Sequence, residues 1–267
     1  MPFRLKPTFR DALARADRPL AGMWVCSGSP LIAEICAGAG LDWLLIDMEH
    51  SPNGLESVLA QLHAAAAAPV TTLVRVPTAD PVIIKQVLDL GAQNLLVPMV
   101  SSAAEAEAIV RAVHYPPRGI RGVGSALARS ARWNRVDDYL AEAEQHVSLV
   151  VQIETAAGVE AAAAIAAVDG VDGVFVGPSD LAASMGLLGQ QTHPDVVAAV
   201  RRVFTQARAS GTPVGVNAFD PALARDYAEA GAGFLLVGAD VALLARGSEA
   251  LATAWVPEAD RTARAGY

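Results

Sequence analysis

Two acidic residues, Glu154 and Asp180, stand just beyond the apolar runs 149–153 and 173–176. Runs of this kind read as buried strands, and a carboxylate that closes one is placed for chemistry rather than packing. If both strands belong to one barrel, the two carboxylates converge at its mouth as hard oxygen ligands. Two carboxylates plus water suit Mg²⁺, Mn²⁺ or Co²⁺, whereas a structural zinc site calls for Cys or His. A 2-oxo acid chelates such a cation through its carboxylate and keto oxygens. The expected chemistry is therefore proton abstraction next to a carbonyl, with the cation as Lewis acid on the developing enolate.

Other strand ends add to this pair. Gln152 lies two residues before Glu154 and so shares its face of the strand. The run 43–47 leads into Asp47-Met-Glu49-His50, the next run reaches Arg75, and the first carries Trp24. Arg75 is placed to stabilise the same oxyanion, with a structural salt bridge as the bland alternative. Asp47 and Glu49 are expected as hydrogen-bond partners in support. His50 is the natural proton-transfer group, directly or through a water, against a plain capping role beside Pro52. A helix starting at Ser179 offers unpaired backbone N–H groups to a substrate carboxylate. The stretch 119–124 is Gly-rich but follows no strand, so it reads as loop geometry that could line the substrate, not as a phosphate loop. His63, His114, His146 and His193 fall on helices or connections and receive no role.

The chain has only two lysines, Lys6 in the N-terminal tail and Lys85 within a helix. Neither reaches a strand end, which argues against Schiff-base chemistry, since that needs a desolvated amine at the carbonyl. No serine nucleophile elbow is present either.

To bring these residues together the chain needs parallel strands with a common mouth. Expected strands are 22–25, 43–47, 71–76, 94–99, 149–153, 173–176, 213–216 and 234–237. Each is short, continuously apolar and bounded by Gly, Pro, Asn or Asp, as a strand buried on both faces should be. Helical spacing fills the intervals, for example 55–66, 81–90 and 103–113, with Asp80 as an N-cap before Pro81. Eight strands alternating with helices predict a (β/α)8 barrel, and 267 residues match the about 250 typical of one. No composition break marks a second domain, so 1–267 reads as one. The interval 115–146 is long for a connection and is expected to be a functional loop.

Bulk composition excludes several classes. The net charge of −8, with only scattered arginines, argues against nucleic-acid or anionic-membrane partners. Apolar residues make up 53% of the chain, yet no run approaches the roughly 18–20 residues of a membrane span. The N-terminus lacks the apolar core of a secretory signal, and Cys26 and Cys36 are too few for a disulfide scaffold. A cytoplasmic location is expected.

In the stretches 37–47, Glu49-His50, 95–100, 115–129, 151–155 and 170–180 the chain resembles the class II pyruvate-dependent aldolases. That family comprises the 4-hydroxy-2-oxoheptanedioate aldolases and their sugar-acid relatives, including the 2-dehydro-3-deoxyglucarate aldolases. The similarity runs from about residue 22 to 245, and the long loop is one of its signatures. The resemblance implies a phosphoenolpyruvate/pyruvate-type barrel that reversibly cleaves 4-hydroxy-2-oxo acids. The products would be pyruvate, or a related 2-oxo acid such as hydroxypyruvate, and an aldehyde.

The resemblance also implies site roles. Glu154 and Asp180 would bind the metal, Gln152, Ser179 and Asp180 would contact the oxo acid, Arg75 would stabilise the enolate, and His50 would be the base. It pairs His50 with an aspartate matching Asp89, which would come from a neighbouring subunit of a hexamer, a trimer of dimers. Asp47 is the intrachain alternative. The C-terminal helical segment is expected in the oligomer interface. The segment 216–219, with Phe219, departs from the pattern of the heptanedioate enzymes and leaves the aldehyde open. Two other readings compete: a citrate-lyase-type carbon–carbon lyase on a coenzyme A thioester, which lacks a basic cluster for the coenzyme, and a non-catalytic oxo-acid-binding barrel.

Overall fold

The computed structural model describes residues 3–258 except Ser125. Ser125 of the loop motif and residues 259–267 therefore lie outside the described residues. Eight parallel strands close into one barrel in sequence order, with the first paired to the last. They are β1 (Leu20–Val25), β2 (Trp43–Asp47), β3 (Thr71–Arg75), β4 (Asn94–Val97), β5 (Ser148–Ile153), β6 (Gly173–Val176), β7 (Val214–Asn217) and β8 (Phe234–Ala239). Around them run α1 (Phe9–Arg15), α2 (Pro30–Ala37), α3 (Leu55–Ala65), α4 (Pro81–Asp89), α5 (Ala103–Val113), α6 (Tyr139–Glu142), α7 (Ala156–Ala166), α8 (Pro178–Ser184), α9 (Pro194–Ala209), α10 (Pro221–Glu229) and α11 (Asp240–Trp255). No helix among the described residues is long and apolar enough to cross a membrane.

The predicted strands agree with the observed ones to within two residues. The fourth ends early, at Val97, because Met99 turns into the left-handed region at φ 62°. That conformation is rare for a non-glycine residue and breaks the ladder. Asp80 caps α4 as expected, accepting a hydrogen bond from the Val82 N–H.

Two apolar layers hold the barrel. The outer one packs strands against helices through residues such as Ile46, Val74, Val87 and Ile109. The inner one fills the barrel with Trp24, Trp43, Leu45, Leu73, Phe175 and Phe234. The N-terminal segment is no loose tail. Thr8 caps α1, and Phe9, fully buried, plugs the barrel floor with its ring 5.1 Å from Trp43 and 5.2 Å from Phe234. Its isolated Phe among polar residues gave no helical period to read.

The long loop lies away from the mouth of its own barrel. Residues 115–146 join the end of a helix, α5, to the start of a strand, β5. A helix-to-strand connection of a barrel lies at the N-terminal face, opposite the mouth. The stretch 119–124 therefore cannot line the mouth of its own barrel. Arg121, 2% exposed, stacks on Tyr115 and bonds Asp89 at the end of α4.

Candidate active site

The barrel mouth is built from the C-terminal ends of the strands. Glu154 follows β5 and is 1% exposed. Its Oε1 accepts the Met99 N–H at 2.7 Å, a donor the left-handed turn exposes, and its Oε2 accepts from Gln152 Nε2. Gln152 and Glu154 thus share one face of β5. Backbone passes so close here that a Cβ on Gly177 would sit 2.8 Å from both Gln152 Nε2 and Glu154 Oε2. Burial pushes the Glu154 carboxyl up to about 7, and the charges of Glu49 and Asp180 push the same way, against the pull of Met99 and Gln152.

Asp180 reaches this carboxylate from another element. Gly177 is the N-cap of α8 and Pro178 its first residue, so the helix begins one residue before the expected Ser179. Ser179 and Asp180 are exposed. Their backbone N–H groups, in the first turn, have no acceptor within the helix.

Arg75 ends β3 beside Asp47 in the register of the two strands. Both are buried, and the guanidinium grips the carboxylate with Nε to Oδ1 at 2.7 Å and Nη2 to Oδ2 at 2.8 Å. Nη1 lies 2.7 Å from Glu49 Oε2 in an ion pair without a well-aligned hydrogen bond. Burial raises Glu49, the Arg75 charge opposes this, and Asp47 and Asp180 add to the rise. Glu154, Glu49, Asp180 and Arg75 therefore share one electrostatic neighbourhood. The salt-bridge alternative for Arg75 is real, but it leaves three of the five guanidinium N–H groups without a hydrogen bond.

His50 is exposed, and its Nε2 lies 3.9 Å from Glu49 Oε1. Asp47 does not face the imidazole. Its carboxylate serves Arg75 and the backbone N–H groups of Glu49 and His50. Among the described residues, Glu49 is thus the carboxylate nearest His50. Asp89 stands at the far end of the barrel, because α4 runs back to the N-terminal face, and its Oδ1 accepts from Arg121 at 2.9 Å. The structure does not bring Asp89 and His50 of one chain together.

Two further groups shape the mouth. Trp24 lies under Arg75, 4.2 Å from the guanidinium carbon, and donates its indole N–H to Asn217 Oδ1 at 2.8 Å. Asn217 ends β7 and carried no signal in the sequence, since a lone Asn after an apolar run reads as a turn. Phe219, 49% exposed, follows it at the rim.

The donors suit a hard divalent cation. Glu154 and Asp180 repel one another with no cationic side chain among the described residues bonded to either, and Gln152 Oε1 is buried without a partner among them. No group of three or more His, Cys, Asp or Glu side chains among the described residues forms a complete site. Two carboxylates leave coordination positions for water and a chelating substrate.

Known proteins share this family and fold. The family model "HpcH/HpaI aldolase/citrate lyase" matches residues 20–247. A 4-hydroxy-2-oxo-heptane-1,7-dioate aldolase of Salmonella dublin is 50% identical over 262 residues, covering 98% of this chain and 99% of the relative. The crystal structure of an HpcH/HpaI aldolase/citrate lyase family protein from Burkholderia cenocepacia superposes with a TM-score of 0.88 at 43% identity, covering 92% of this chain and 97% of that one. The structure of the citrate synthase SbnG superposes with a TM-score of 0.82 at 28% identity, covering 92% of this chain and 97% of that one.

Proposed function

The chain belongs to the HpcH/HpaI aldolase/citrate lyase family, and from that premise we propose that the carboxylate-lined mouth cleaves 4-hydroxy-2-oxo acids to a 2-oxo acid and an aldehyde. The enzyme is a carbon–carbon lyase of the class II aldolase type, and pyruvate is the oxo acid that its relatives' chemistry supplies. The observation that carries the site assignment is Glu154: a buried carboxylate pushed up to about 7 beside two further acids, with Arg75 in the same neighbourhood.

Glu154 and Asp180 would hold a divalent cation, which supplies positive charge to polarise the C2 carbonyl. Gln152, Ser179 and Asp180 orient the oxo acid against β5 and α8. His50 takes the proton from the 4-hydroxyl as the C3–C4 bond breaks. The bonding pair stays on the oxo-acid half, negative charge builds on the C2 oxygen, and the free N–H groups of Arg75 face it. Return of a proton to C3 completes the 2-oxo acid, and the other half leaves as aldehyde. Asp47 keeps Arg75 in register throughout.

The assay is pyruvate release from 4-hydroxy-2-oxo acids by protein stripped with chelator, with and without added Mn²⁺ or Mg²⁺. Activity should depend on the added ion. Full activity without it rejects the assignment. His50→Ala separates the enzyme from a mere oxo-acid binder, since only the enzyme has turnover to lose. A coenzyme A thioester lyase is disfavoured, because Arg75, the cation described at the mouth, is already paired with Asp47 and Glu49 and no basic cluster stands beside it for the coenzyme.

We propose further that Asp89 serves the His50 of a second copy in a homohexamer. This reading is supported by the distance of Asp89 from its own mouth. α11 supports it too, since Leu243, Leu244, Leu251 and Trp255 are between 62% and 83% exposed and only Asp240 is buried. Mixing inactive His50→Ala with inactive Asp89→Ala should restore part of the activity; no recovery returns the role to a group within one chain.

A further inference from the structure

The N-terminal face of the barrel contains a cavity of about 550 Å³ with no acidic residue in its lining. Five cations reach it from three separate stretches of sequence: Arg4 and Lys6, Arg15 of α1, and Arg129 with Arg132 from the long loop. The sequence showed only scattered arginines, and the fold collects these.

The innermost two are unusual. Arg129 and Arg132 are half-buried, and their Nη1 atoms close on Gly91, whose added Cβ would sit 2.7 and 2.8 Å from them. Gly91 has φ 89°, so the backbone there is already shaped for a residue with no side chain. Arg129 Nη1 donates to Leu90 O and Arg132 Nη1 to Arg129 O. Neither guanidinium has a carboxylate partner among the described residues. Capping the carbonyl end of α4 accounts for one donor of Arg129, but not for a second guanidinium pressed against the first. Burial, with repulsion from Arg132 behind it, pulls Arg129 down to about 10. Such a pair costs free energy to hold charged, and a bound anion offsets that cost.

We infer that this cavity is a binding site for a small molecule bearing a phosphate or pyrophosphate group. One guanidinium fork satisfies one carboxylate in a bidentate pair. Two forks side by side, with Lys6 and Arg4 at the rim, call for an acceptor with three or more oxygens and at least two negative charges. The site lies at the opposite ends of β3 and β4 from the catalytic mouth, among Thr71, Thr72 and Asn94, so it does not rest on the aldolase assignment.

The test is calorimetric titration of the full-length enzyme in chelator, so that no cation at the mouth can recruit phosphate. Inorganic phosphate, pyrophosphate, ATP and malonate serve as probes. Saturable pyrophosphate binding is expected, weakened about tenfold in Arg132→Gln, abolished in the Arg129→Gln/Arg132→Gln double variant and unchanged in Glu154→Gln. Arg132→Lys, which keeps the charge and loses the fork, should give intermediate affinity and decides the matter if the double variant misfolds. Phosphate binding as tightly as pyrophosphate identifies free phosphate as the source; tighter ATP or pyrophosphate identifies a phosphoanhydride. Malonate binding as tightly as pyrophosphate, undiminished binding in the arginine variants, or no binding at all overturns the inference. So does a smaller assembly mass for Arg132→Gln by light scattering, which would mean that a second copy fills the cavity.

Discussion

The two ends of β3 face unmatched charge of opposite sign. At the mouth, Arg75 is matched by Asp47 and Glu49, and the unmatched charges are the acids Glu154 and Asp180. At the floor, the unmatched charges are Arg129 and Arg132, whose hydrogen bonds among the described residues go to carbonyl oxygens. Burial drives Glu154 up to about 7 and Arg129 down to about 10, each toward its neutral form. The difference teaches what each end lacks. A desolvated carboxylate without a basic partner calls for a cation, and a desolvated guanidinium without an acidic one calls for an anion. The matched Arg75 shows what a completed site looks like in the same barrel.

The strongest way to break the comparison is Glu154→Gln. Aldol cleavage should fall below detection, measured as pyruvate release. In chelator the variant should nevertheless be more stable than the parent at pH 8. The parent's carboxyl titrates near 7 when folded and near the ordinary 4.5 when unfolded, so its folded state loses stability as pH rises through that window. The shift corresponds to at most about 3 kcal/mol, absent at pH 4, and urea midpoints at the two pH values read it. A variant less stable than its parent at pH 8 would make Glu154 a structural residue.

Arg75→Ala should slow turnover by roughly 10²–10³-fold, the loss of one oxyanion donor. It also strands Asp47, which is 1% exposed, so unfolding free energy should drop by about 3–5 kcal/mol. Adding Asp47→Asn should recover stability but not turnover. Equal recovery of both would confine the pair to scaffolding.

A smaller effect sharpens the cation side. Apparent Mn²⁺ affinity should fall about tenfold for each pH unit below 7, as Glu154 protonates, and level off above it. Titrations at pH 6, 7 and 8 read the slope, and a flat profile removes Glu154 as a ligand. The smallest effect is expected at the floor. Gly91→Ala forces a side chain into a left-handed position against two guanidiniums, at a cost of about 1–2 kcal/mol. Thermal melts should register it while kcat stays unchanged. A fall in kcat would couple floor to mouth.

Much of the mouth was legible because barrel strands advertise themselves. Runs such as 43–47 and 149–153 are buried on both faces, so any polar residue at their ends stands out, and Glu154, Gln152, Arg75 and Asp47 all do. Less legible were contacts made by backbone. The Met99 N–H on Glu154 depends on a left-handed turn that no residue type announces. The indole bond from Trp24 to Asn217 spans 193 positions and joins strands that meet only near closure. The long loop was recognised as special, but the sequence reading gave it no side of the barrel. Its length was visible, and its side of the barrel follows from which elements it joins.

What the sequence determined by itself was local and periodic: eight apolar runs, their helical partners, the acids at their ends and the absence of a usable lysine. These follow from rules that act over a few residues, side-chain alternation and capping among them. Only the tertiary structure decided which charges are paired. Arg75 takes Asp47 from His50, Asp89 is carried to the floor, and five dispersed cations line one cavity because chain closure sets distances that spacing along the sequence does not encode.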